Sequence, residues 1–235
     1  MTAGKFEVGK ALRATRVSFD DNRPLIVRLT VAFALVNAAT AVLDVAGAAG
    51  LAVSFGIAIL LGAAYGGMIT ALICLPGNNR GAGELWITVK PVLARLIWVT
   101  LITALATLLG LALLIIPGLV VVTLLAVAGQ AVVVEKSPVF GALGRSFVLV
   151  QDHAFRVFGY LIVIGLLSLV LLGVALLVAA PFGTGLAGRV IVNFLSNLLS
   201  TPVLAIGTAV LYTQLATLEK AKRPAESDTE PPTLG

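Results

Sequence analysis

Long apolar runs alternate with short polar connections along most of the chain. Six runs are long enough to cross a bilayer, which takes about 20 residues. They cover approximately 24–46, 51–75, 96–116, 119–134, 156–180 and 189–216. The connections between them alternate in charge. Lys5, Lys10, Arg13, Arg16 and Arg23 precede the first run, and Arg80, Lys90 and Arg95 lie in 76–95. Lys136, Arg145 and Arg156 lie in 135–156, and Lys220, Lys222 and Arg223 follow the last run. The intervening connections 44–50 and 115–120 carry no cation, and 181–189 carries only Arg189. The excess of cations on the cytoplasmic side of membrane proteins then places both termini in the cytoplasm. The chain reads as three out-and-back hairpins, with the tightest outer turn at Ile116-Pro117-Gly118-Leu119, where Pro stops a helix and Gly permits reversal.

A second periodicity runs through the polar connections. Ser137-Pro138 reads as a helix start, with Ser as N-cap and Pro at the first helical position. Val139, Ala142, Leu143, Ser146 and Val150 then fall on one helical face. The same offsets recur at Val8, Ala11, Leu12, Thr15 and Phe19, and again at Leu85, Thr88, Val89, Val92 and Leu96. Pro91 is expected to kink the middle copy. Each copy stands just before an outward-going span, so the pattern is a threefold internal repeat. The expected fold is an all-α integral membrane protein. Its six transmembrane helices form three hairpins, each preceded by a cytoplasmic interfacial amphipathic helix lying in the membrane surface. Residues 1–217 make a single transmembrane domain, and 218–235, proline-containing and mixed in charge, a disordered cytoplasmic tail.

Composition narrows the function. Hydrophobic residues make up 59% of the chain and charged residues 11%, against about a quarter charged in soluble domains. The net charge of +5 is explained by orientation in the membrane and does not imply nucleic acid. Cys74 is the only cysteine and His153 the only histidine, so neither an intrachain disulfide nor a His/Cys metal site is expected. No phosphate-binding, zinc or nucleophile-elbow motif is present, and no cofactor is expected. The N-terminal polar segment is too long and too mixed in charge for a signal peptide, which favours a retained first membrane helix.

Pro117-Gly118, a membrane helix ending in Glu135, and Ala142-Leu143-Gly144-Arg145-Ser146 follow one another within residues 115–167. This order resembles the glycerophosphoryl diester phosphodiesterase membrane-domain family and its uncharacterised bacterial relatives. The resemblance implies a fold and a bacterial cytoplasmic membrane location, and no activity, because the chain has no phosphodiesterase domain.

The candidate residues fall into three groups. Glu135 and Arg145, with Ser146 and Asp152 nearby, form either a bridge between a span and the following helix or a site for a lipid headgroup; the bridge is preferred. Asp44 and Arg189 are the expected outer pair. Asn193, Ser196, Asn197, Ser200 and Thr201 make a polar stripe on the last span, either for packing or for a substrate path, and Pro202 is expected to bend that helix. Gly62, Ala63, Ala64, Gly66 and Gly67 give the second span a small-residue face suited to close packing in the bundle or against a partner's helix. With no catalytic constellation in view, the expected function is a non-catalytic accessory or scaffold subunit. Its partners would be membrane lipids and other integral membrane proteins. The alternative is a small lipid or solute transporter using the polar stripe.

Overall fold

The computed structural model describes residues 8–43, 47–75, 81–183 and 185–227. Among them every regular element is helical: α1 Val8–Thr40, α2 Ala48–Cys74, α3 Ala82–Val89, α4 Leu93–Leu113, α5 Ile115–Leu124, α6 Ala128–Glu135, α7 Val139–Gln151, α8 Ala154–Ala179 and α9 Leu186–Ser227. Six helical stretches are long and apolar enough to cross a membrane: Gly9–Thr40, Ala48–Cys74, Ala82–Ala112, Ile116–Glu135, Ala154–Phe182 and Leu186–Ala221. Each overlaps one of the six apolar runs, with Gly9–Thr40 and Ala82–Ala112 beginning more than ten residues earlier than expected.

Alanine recurs among the buried apolar residues, as at Ala34, Ala38, Ala63, Ala71, Ala128, Ala131, Ala142 and Ala209. Lipid is as apolar as leucine, so membrane helices gain by close backbone approach, which small residues allow. Many large side chains point outward, among them Phe55, Leu108, Leu169 and Leu177, the last 76% exposed. Such a surface suits hydrocarbon.

Hydroxyl bonds cross-link the helices. Thr30 on α1 bonds Tyr65 on α2 (2.8 Å), and Thr15, fifteen residues earlier on α1, bonds Tyr160 on α8 (3.0 Å). Tyr160 also donates to the Gly207 carbonyl on α9 (3.0 Å), where a Cβ at Gly207 would come within 3.3 Å of the tyrosine oxygen. Cys74 Sγ donates to the Ala209 carbonyl (3.5 Å), joining the end of α2 to α9.

Several local expectations are corrected. The first copy of the repeat is not a separate helix: α1 runs unbroken with Pro24 inside it. Proline removes the donor to the carbonyl four residues back, here that of exposed Asp20, where water can replace it. In the second copy the expected kink is a 3₁₀ turn over Lys90–Val92, with Pro91 at its start. In the third copy Ser137 is not the cap: Pro138 occupies that position with extended backbone (φ −65°, ψ 162°) and α7 begins at Val139.

The reversal between α4 and α5 falls at extended Leu114 (φ −161°, ψ 142°), and Pro117 and Gly118 lie in the first turn of α5. Proline is tolerated there because that N–H has no helical acceptor. Gly118 is needed for contact: a Cβ on it would lie 2.6 Å from the Leu111 side chain, and one on Gly110 would lie 2.8 Å from Gly118 Cα. At the other end, α9 continues through Pro202 as one helix and past residue 217 to Ser227. The first ten residues of the expected tail are therefore helical.

Candidate functional site

Three helices meet at Arg145. It sits on α7, ten residues after Glu135 closes α6, and its Nε donates to Glu135 Oε1 at 2.8 Å. Its two terminal nitrogens donate in parallel to both oxygens of Glu219 on α9, at 2.8 and 2.6 Å. Tyr212, two turns earlier on α9, donates to Glu135 Oε1 at 2.7 Å. The three charged side chains are only 21–30% exposed, where reduced solvation strengthens such charge-assisted bonds. Glu219, and after it Glu135, hold the Arg145 pKa above its ordinary value against the opposing effect of partial burial. One cation faces two carboxylates, and each nitrogen of the guanidinium already has a carboxylate acceptor. An anionic headgroup would compete with two glutamates for this guanidinium.

The chain turns sharply beside this cluster. Lys136 follows Glu135 in the left-handed region (φ 52°), an uncommon conformation outside glycine, and ends α6 there. Arg95 at the start of α4 donates to the Lys136 carbonyl (2.9 Å).

Ser146 is next to Arg145 in sequence and performs a different task. It is fully buried. The span Ile116–Glu135 is interrupted at residues 125–127, where α5 stops and α6 has not begun. Ser146 Oγ donates to the Leu124 carbonyl (2.7 Å) and accepts from the Val127 amide (3.3 Å). One hydroxyl thus satisfies a backbone group on each side of the break, as unsolvated backbone in a membrane requires. The α7 face that carries it, with Ala142, Leu149 and Val150, is buried against protein. The expectation that this face lies on lipid is corrected. Asp152 lies at the C-terminal boundary of α7.

The polar stripe of α9 is largely self-satisfied. Asn197 donates to the Asn193 carbonyl (2.8 Å), Thr201 to Asn197 (3.4 Å) and Ser200 to the Ser168 carbonyl on α8 (3.2 Å). Ser196 Oγ is buried with no partner among the described residues. Arg189 is exposed near the start of α9; its expected partner Asp44 lies outside the described residues.

A cleft of about 380 Å³ opens between α2, α4 and α6, walled by Ala58, Gly62, Gly66, Thr70, Thr100 and Gln130 among others. A Cβ on Gly62 or Gly66 would meet nothing within 4 Å, whereas one on Gly67 would lie 2.8 Å from Val89 and 3.0 Å from Leu96. Gly67 is used by the chain's own packing, and Gly62 and Gly66 are not. Gln130 donates to Thr208 on α9 (2.8 Å).

Sequence reasoning brought Glu135 and Arg145 together and missed Glu219 and Tyr212. Their shared face on α9, seven residues apart, was the available signal. It pointed to no partner, because the partners lie 74 and 77 residues away.

Residues 82–217 match the family described as a domain of unknown function (DUF7847). The matched stretch begins at α3 and takes in Glu135, Arg145, Ser146 and Tyr212; Glu219 lies just beyond it. No curated protein and no solved structure matches the chain.

Proposed function

The chain belongs to the DUF7847 family, and we propose from its own residues that it is a non-catalytic accessory or scaffold subunit of a bacterial cytoplasmic membrane complex. Its partner is another integral membrane protein, with lipid around the rest of the bundle. The resemblance to the membrane domains of glycerophosphoryl diester phosphodiesterases belongs to the same proposal. So do the three-hairpin topology and the cytoplasmic termini, which rest on the cation distribution.

The observation that carries the reading is the open cleft on α2. Glycine in a helix interior costs about 1 kcal/mol relative to alanine. At Gly62 and Gly66 close packing within the described residues does not require glycine, since a Cβ there would touch nothing within 4 Å. A neighbouring membrane helix pressed into the cleft would use both positions, as small residues four apart allow. The Arg145 cluster fits the same role, because a guanidinium held by two carboxylates braces α7 against α6 and α9. A solute path along α9 is the competing reading, supported by the unpartnered Ser196 hydroxyl.

Affinity purification in mild detergent, followed by mass spectrometry, compares the native chain with Gly62→Leu and Gly66→Leu. The expected result is one stoichiometric membrane protein with the native chain, lost from both variants while their thermal midpoints stay near the native value. Absence of any stoichiometric protein from the native sample, or its retention in both variants, overturns the proposal.

A further inference from the structure

The geometry points to α7 as a latch on an interrupted membrane helix, set by the cytoplasmic end of α9. Three observations meet on two consecutive residues. Ser146 holds both sides of the break between α5 and α6 through the Leu124 carbonyl and the Val127 amide. Arg145, its neighbour, is held by paired bonds to Glu219 on α9 and a single bond to Glu135. The two halves joined at the break differ in anchorage. On α6, Ala128, Ala131, Val132 and Val133 are buried. On α5, Ile116, Leu119, Val120 and Val122 are exposed.

The break carries no proline, so its backbone groups can bond again as a continuous helix when the latch releases. The peripheral half also walls a second cleft, of about 390 Å³, lined with Leu119, Thr123 and Leu124 of α5 and Phe155 and Phe158 of α8. Rearrangement at 125–127 changes the shape of that cleft. A two-arrangement element of this kind is what coupling between distant sites requires. Here it runs from Glu219 through α7 to the centre of a span. It is independent of which protein occupies the α2 cleft.

Hydrogen exchange of the native chain in lipid nanodiscs, read on peptides covering 124–131, tests this. Ser146→Ala removes the hydroxyl at the break. Glu219→Gln leaves Ser146 in place and loosens the Arg145 end. Each is expected to speed exchange at 124–131 about fivefold, the effect of losing one ordinary hydrogen bond from a locally opening segment. Thr30→Val, which removes the Thr30–Tyr65 bond between α1 and α2, controls for general destabilisation and leaves 124–131 at the native rate. Unchanged exchange in Ser146→Ala overturns the latch. Unchanged exchange in Glu219→Gln, or equal acceleration in Thr30→Val, overturns the coupling to α9.

Discussion

Arg145 can satisfy two carboxylates because its five N–H donors fan out in a fixed plane: one edge reaches Glu219 twice and Nε reaches Glu135. Removing the cation leaves two partly buried carboxylates facing each other, which is worse than losing either acid. Arg145→Gln is therefore expected to lower thermal stability more than Glu135→Gln. A double-mutant cycle between Arg145 and Glu219 should give a coupling of about 0.5–3 kcal/mol, as for residues in one network. Native mass spectrometry of the same proteins should find their bound lipid unchanged. Additive losses, together with selective loss of an anionic lipid from Arg145→Gln, would replace the brace with a headgroup site.

Glycine placement separates the helices that need close approach from those that do not. α4 and α5 meet backbone to backbone at Gly118, 2.7 Å from the Leu111 nitrogen to where a Cβ would stand. Gly118→Ala must push the two helices apart and is expected to cost about 1–3 kcal/mol, the usual penalty of overpacking. On α7, a Cβ at Gly144 meets nothing within 4 Å. Gly144→Ala is expected to gain up to about 1 kcal/mol from helix propensity. Unfolding of both variants in detergent checks the opposite signs; a stabilised Gly118→Ala would show that α4 and α5 are not in this contact.

Across the whole molecule, α9 is the common tie, bonded to α2 through Cys74, to α6 through Gln130 and Glu135, to α7 through Arg145 and to α8 through Tyr160. Such bonds fix neighbours and leave the direction of insertion to the charges. The cation-rich connections should face the cytoplasm. In a Cys74→Ala background, Thr184→Cys is expected to react with an impermeant thiol reagent added from outside, and Asn79→Cys is not. The reverse pattern excludes the three-hairpin topology.

The amino-acid sequence by itself determined how many segments can cross a membrane, because apolar transfer is close to a sum over neighbouring residues and needs no knowledge of contacts. It also located the disturbance at Pro91 and the pairing of Glu135 with Arg145, where backbone chemistry or short separation suffices. Only the tertiary structure decided which apolar face meets protein and which meets lipid. The two environments are equally apolar, so the α7 stripe reads alike in both. The break at 125–127 was hidden for a related reason: Leu125-Ala126-Val127 contains no helix-breaking residue, and the hydroxyl that makes the interruption tolerable comes from Ser146 on α7. Glu219 joined Arg145 because packing brought α9 alongside α7, and a bond across 74 residues leaves no trace in local periodicity.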